Sequence, residues 1–272
     1  QELWDGLGFA ANREPMRAVA ERLSLAAVEA ALATVPRERR LSLARALFFG
    51  VAGFLPLAPA DAQAAGVRAE DVAGIDRLWV ERGAAWHDLV LPPTAWVRAR
   101  VRPANHPARR LAGGAALLAQ ATSGLAADLL SSLRRGVDAA TALRTVTRVD
   151  GDQMLGVDRA RGLVGNVLIP FALALAEHTD DRELSDAAAA AWERLSAAEA
   201  NNVTRRAHRQ ICGDARLPSL GFRGQQGLIH LDQVLCAPRR CFECPIARAV
   251  LHEGSQIAAI LTQEEIDQGR SN

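Results

Sequence analysis

Two groups of residues in this sequence have types and spacings suited to chemistry. Cys236, Cys241 and Cys244 fall within nine residues, in "CAPRRCFECP", and the fourth cysteine, Cys212, lies upstream. Cys241 and Cys244 form a C-x-x-C pair, which lets two thiolates grip one ion from a single turn. Cys236 and Cys212 would complete a tetrahedral set of four sulfurs for zinc. The order C-x4-C-x2-C followed by Pro245 suits an iron–sulfur cluster as well, although in plant-type ferredoxins the fourth cysteine lies downstream. If three cysteines ligate, His230, six residues before Cys236, is the alternative ligand. Two further readings stand beside the metal: reduced thiols packed among Leu235, Phe242 and Ile246, or disulfides, for which no secretion signal is visible.

The second group is cationic. From Leu89 to Ala127 there is no acid, while Arg98, Arg100, Arg102, Arg109 and Arg110 all lie in "RARVRPANHPARR". If this stretch is extended, alternation sets Arg98, Arg100 and Arg102 on one side, a row of guanidinium forks for phosphates or carboxylates. Such a row is a phosphate-backbone site. The competing reading pairs the same arginines with acids of neighbouring helices. A second basic stretch, Arg205, Arg206, His208 and Arg209, reads as a solvated helix face.

Composition removes several functions. All 32 basic residues are arginine, so Schiff-base lysines and Asp/Glu-x-Lys nuclease centres are excluded from this chain. There is no G-x-S-x-G nucleophile elbow, and Gly221, Gly224 and Gly227 do not match the dinucleotide fingerprint. A net charge of +1 leaves polyanion binding to charge distribution rather than total charge. The chain opens on Gln1 with no signal segment, which gives the expectation of a processed or partial cytoplasmic product with no membrane partner. The uncharged runs Ala46–Ala60, Leu111–Ala127 and Gly162–Ala176 reach at most seventeen residues and read as buried helices.

The elements that must position these residues are helices. Hydrophobic residues make up 49% of the chain and aromatics 4%, a profile for close-packed helices rather than strands. Helical spacing predicts helices after Pro15 and over Pro36–Leu55, Asp71–Arg82, Arg109–Ala121, Leu125–Arg135, Asp138–Val146, Arg159–His178, Glu183–Leu195 and Ala197–Ile211. Asp158 is the expected N-cap of the long helix, and Thr262 with Glu265 has capping-box spacing. Strand-like alternation is confined to Trp96–Val101, too little for a sheet, and Asp150 and Asp152 suit a turn or a helix start. The expected organisation is an all-α, bundle-like protein. It has an N-terminal subdomain over 1–90, a Pro/Arg-rich connection over 91–108, and a C-terminal subdomain with the cysteine element over 109–272, together forming one unit.

An ordered set of segments carries a resemblance: "ELWDGLGFAANREP" (2–15), "LFFGVAGFL" (47–55), "RVRPANHPARRLA" (100–112), "GNVLIPFALA" (165–174), "AAEANN" (197–202), "QQGLIHL" (225–231) and "CAPRRCFECPIA" (236–247). Together, over essentially the whole chain, they resemble the C-terminal helical part of the bacterial domain-of-unknown-function family DUF2851. The resemblance implies an additional N-terminal segment whose G-P-D-F and E-x-H elements look like a restriction-endonuclease-type core, elements not found in this sequence. It also fits the three close cysteines, and leaves Cys212 unplaced. The resulting expectation is a helical accessory domain, not catalytic by itself, that assists nucleic-acid binding by a nuclease-like partner domain and carries zinc or an iron–sulfur cluster. The alternatives are a structural or protein-interaction module with reduced cysteines, and a small-molecule enzyme holding an anionic substrate at Arg98, Arg100 and Arg102.

Overall fold

The structure, a computed structural model, describes residues 2–8, 10–54, 86–121, 123–212 and 220–252. The chain folds as two compact units, residues 1–198 and 199–272. The described residues are predominantly helical, as the composition implies, and the connection over 91–108 lies within the first unit.

In the first unit, α1 (Glu2–Gly8) packs on α2 (Arg13–Leu23), and the Asp5 carboxylate accepts two hydrogen bonds from Arg17. Ser24, at φ 51°, turns the chain into α3 (Leu25–Ala33). Helix α4 (Arg37–Val51) starts after Pro36, and the one-turn α5 (Trp86–Leu89) precedes the connection. Helix α6 (Pro107–Gln120) lies along α4, and their packing forms the centre of the core. The reason is spacing: Leu111, Ala115 and Leu118 recur every three to four residues on one face of α6, against Leu43, Leu47 and Phe48 of α4, and all are buried. Gly114 makes the approach close enough. A Cβ there would lie 2.6 Å from Trp4 Cζ3, so the absence of a side chain lets the indole and the Phe48 ring, 5.5 Å apart, sit against the helix backbone.

Helix α7 (Leu125–Arg134) begins where the Leu125 N–H donates to the Glu29 carboxylate, and α8 (Ala139–Val146) where Asp138 accepts from the Thr141 N–H at 2.7 Å. A two-stranded antiparallel hairpin follows, β1 (Arg148–Val149) with β2 (Asp152–Gln153). Its turn residues, Asp150 and Gly151, have φ of 50° and 85°, the positive pair that a tight hairpin turn demands. Helix α9 (Val157–Leu163) passes through a π-turn (Val164–Leu168) into α10 (Ile169–Thr179). Pro170 has no N–H to continue the ladder, and the widened turn immediately before it absorbs the missing bond. Val157–Thr179 is long and apolar enough by length and composition to cross a membrane. In this unit, α9 packs on α1 and α10 on α11 (Arg182–Arg194).

The second unit contains α12 (Asn202–Cys212) and α13 (Gly221–Leu231), the latter running into a π-turn over Asp232–Cys236. Asn201 accepts from the Thr204 N–H at 2.8 Å and starts α12. A non-helical stretch then leads to helical residues 245–252, with Pro245 in the first turn and Cys244 O accepting from the Arg248 N–H at 3.0 Å.

Several local expectations need correction. Asp158 is not the N-cap of the long helix: Gly156 holds that position, and Asp158 sits in the first turn with Arg161 at 3.5 Å. Residues 197–201 are not helical, because Asn201 ends the connection as a side-chain cap. The chain at 96–101 is not an extended strand. Arg100 has φ 58°, which turns the backbone and breaks the alternation. The expected helix at Asp71–Arg82 and the Thr262/Glu265 capping box lie outside the described residues.

Candidate functional site

The arginine segment is held by its backbone rather than by its charges. Leu91 N–H donates to Val51 O at 2.7 Å, at the end of α4. Trp96, 5% exposed, donates from Nε1 to Ala52 O at 2.8 Å and meets Phe54 edge-on, with ring centroids 5.6 Å apart. The buried Asn12 side chain pairs with Val97 like a neighbouring strand, its Nδ2 donating to Val97 O and its Oδ1 accepting from Val97 N–H, both at 2.9 Å. These anchors fix the chain up to the first arginine.

Beyond them the five arginines divide by environment. Arg98 lies with its guanidinium 4.2 Å from the Phe54 ring centroid, a cation–π contact that leaves the residue exposed. Arg100 and Arg102 are exposed, and Arg98, Arg100 and Arg102 form no ion pair with any of the described residues. Arg109 is half-buried and donates to the Gln153 carbonyl of the hairpin. Arg110 is 3% exposed. Its Nη2 donates to Asn105 Oδ1 at 2.7 Å, while Nε and Nη1 have no partner among the described residues. Burial pushes the Arg110 guanidinium down to about 10, and the charges of Arg159 and Arg109 push in the same direction. Arg159, on α9, is itself lowered by burial and then by Arg13. The row therefore separates into three exposed cations and a buried cationic group.

In the second unit, Asp232 is buried and takes both oxygens to Arg206, which holds its carboxyl below the usual range. Arg206 remains exposed, as expected of a solvated face, and reaches the buried Asp232 from there. Cys236 follows one turn later. Its thiol is pushed up by burial, then by Cys244, Asp232 and Cys241, with Arg206 acting in opposition. The Cys244 N–H donates to Cys241 O at 3.2 Å, with Cys241 exposed and Cys244 buried. Cys212, half-buried at the end of α12, and His230, exposed on α13, are not among the groups acting on Cys236. All four cysteines are free thiols, and among the described residues no three His, Cys, Asp or Glu side chains are arranged to hold a metal ion.

Asn12 and Trp96 place the segment, and spacing alone does not reveal either role. Arg110 did carry a signal: it shares the apolar face of α6 with Pro107, Leu111, Gly114 and Leu118, all buried.

The family model described as "Protein of unknown function (DUF2851)" matches residues 1–202, which takes in the arginine segment and α6. The match ends before the cysteines, so the "QQGLIHL" and "CAPRRCFECPIA" segments lie outside it. No curated protein and no solved structure matches the chain.

Proposed function

We propose that this chain, which belongs to the DUF2851 family, is a helical accessory domain that holds nucleic-acid backbone for a nuclease-type partner domain and performs no chemistry itself. One observation carries the reading. Arg98, Arg100 and Arg102 are exposed cations on a segment tied down at Leu91, Trp96 and Val97, and none is spent on an acid of the described residues. A polyphosphate chain meeting them gains counterion release without first breaking an internal ion pair. The bland alternative needs acids around these arginines.

Fluorescence anisotropy with short duplex and single-stranded oligonucleotides, repeated across a salt series, tests the proposal. Three phosphate contacts give a slope of log K against log salt of about −2.7 on duplex DNA. Replacing Arg100 and Arg102 together with alanine reduces that slope by about 2 and leaves the melting temperature unchanged, because neither side chain is packed. Absence of binding at low salt refutes the reading. Arg98 is left intact in this variant, since its removal would also uncover Phe54.

A subsidiary proposal concerns the second unit, where the spacing of Cys236, Cys241 and Cys244 in the sequence suits zinc or an iron–sulfur cluster. Metal and iron analysis of protein purified without chelator under low oxygen, with its visible spectrum, decides it. One zinc or a stoichiometric iron cluster per chain supports the proposal, and four titratable thiols with no metal refute it.

A further inference from the structure

Arg110 presents an electrostatic problem that nothing among the described residues solves. Its side chain is buried, it carries a guanidinium with five N–H donors, and its one hydrogen-bond partner among the described residues is the neutral amide of Asn105. Nε and Nη1 are enclosed and unpartnered. The charged groups acting on it are both cations, Arg159 from α9 and Arg109 from its own helix. Arg13, at the start of α2, adds to the field at Arg159 and at Asp5, whose carboxylate is already taken by Arg17. Arginine does not escape such a position by losing its proton near neutral pH, so the charge stays. A buried guanidinium without an acid is costly to keep, and a buried polar group without a partner calls for a missing ion or water.

The position adds a second attraction. Arg110 lies in the first turn of α6, a helix of fourteen residues, where backbone N–H groups at the N-terminus favour negative charge and disfavour the two arginines placed there. Pro107 has no N–H, His106 Nδ1 satisfies the Ala108 N–H at 3.3 Å and His106 O the Arg110 N–H at 3.2 Å, so the Arg109 N–H is the donor left at this end. The helix end and the unpartnered guanidinium therefore want the same thing, an anion with several acceptor oxygens.

We propose that Arg110, with Arg159 and Arg109 as its cationic neighbours, seats one phosphate-type oxyanion at the N-terminal turn of α6. The class follows from the donors: Nε and Nη1 lie on opposite edges of the guanidinium, and the second N–H of Nη2 completes a fork with one of them, matched by two oxygens of a phosphate. The seat is separate from the exposed Arg98, Arg100 and Arg102 and stands whether or not those bind a polyanion. Its occupant is free inorganic phosphate or the terminal phosphate of a larger molecule, which share this chemistry.

The test is titration of the whole chain with inorganic phosphate at constant ionic strength, chloride replacing phosphate in the control. All five tryptophans precede residue 199, so intrinsic fluorescence follows unfolding of the first unit alone. Saturable binding with one site per chain is expected by calorimetry. Melting should rise by about 5–10 °C at phosphate about a hundredfold above its Kd. Arg110→Met removes that rise without lowering the phosphate-free melting temperature. If Arg110→Met does not fold, the wild-type titration and phosphorus NMR line broadening decide alone. Displacement of phosphate by a 5′-phosphorylated oligonucleotide, but not by its 5′-hydroxyl counterpart, identifies a terminal phosphate as the occupant; displacement by neither identifies the free ion. Equal responses to phosphate and chloride overturn the proposal, even where oligonucleotides bind the exposed arginines.

Discussion

Gly114→Ala is a direct test of the packing that positions α6 and its arginines. Helix propensity alone predicts a gain of about 1 kcal/mol, because alanine loses less backbone freedom than glycine inside a helix. The tertiary structure reverses the sign. The new methyl would lie 2.6 Å from Trp4 Cζ3 and 3.2 Å from Phe48 Cε1, where comfortable carbon contacts begin at about 3.5 Å. Trp4 is 4% exposed and Phe48 fully enclosed, so the indole cannot swing into solvent and must move by about 1 Å within a filled core. Overpacking of this kind costs about 1–3 kcal/mol, leaving a net loss of up to about 2 kcal/mol. Gly162→Ala, in α9, is the control: its nearest neighbour is Asn166 Nδ2 at 3.9 Å, and it should stabilise by about 0.5–1 kcal/mol. Urea and thermal unfolding followed by tryptophan fluorescence should separate the two variants by several degrees, at about 2–4 °C per kcal/mol. If Gly114→Ala stabilises as much as Gly162→Ala, the reasoning about α6 against Trp4 and Phe48 is wrong.

Two further outcomes follow from the charged and thiol groups. Hydrogen bonding from Arg17 to Asp5, and from Arg134 and the Leu184 N–H to Asp181, holds both carboxyls below their usual 3.8. Their contribution is present above that value and lost as pH falls through the lower folded values, so the first unit should lose stability progressively below about pH 4. Arg17→Met should be less stable than wild type at pH 7, with the difference closing toward pH 3, as read from urea midpoints along a pH series. A constant difference would show that the pairing with Asp5 is not its source. For the thiols, iodoacetamide at pH 8 should label Cys241 before Cys236. Cys241 is exposed, whereas Cys236 is half-buried and pushed up by that burial. Equal rates, measured by peptide mass spectrometry, would contradict the environment described for Cys236.

Much of the local structure was legible in the sequence because its signals are local. Apolar spacing located the helix following the arginines to within two residues of each end, Arg109–Ala121 expected against Pro107–Gln120 observed. The acid-free stretch with its five arginines was also legible, since charge is written in residue type. The failures share a physical cause. Strand alternation was applied to Arg98–Arg102, but Arg100 adopts a positive φ in a segment fastened by Asn12, 85 residues away. No short window contains that partner. Asp158 has the right chemistry for a cap, yet the helix starts two residues earlier, where Gly156 takes the cap position. Arg206 is the exposed cation that its neighbours imply, but its pairing with Asp232, 26 residues on, lies outside any short window.

Alone, the sequence determined the all-helical class, the arginine-only cationic character, the exclusion of lysine-dependent chemistry, and the grouping of three cysteines near residue 240. Periodicity and side-chain chemistry act over one or two turns, and they are complete in the primary structure. The tertiary structure alone decided which of the five arginines face solvent and which is enclosed without a counter-charge among the described residues. It also decided that Cys241 is exposed and Cys244 buried. Burial and electrostatic company depend on what distant segments bring to the same place. Arg109 and Arg110, adjacent in sequence, therefore end in different environments, one donating to the hairpin and the other closed in beneath α6.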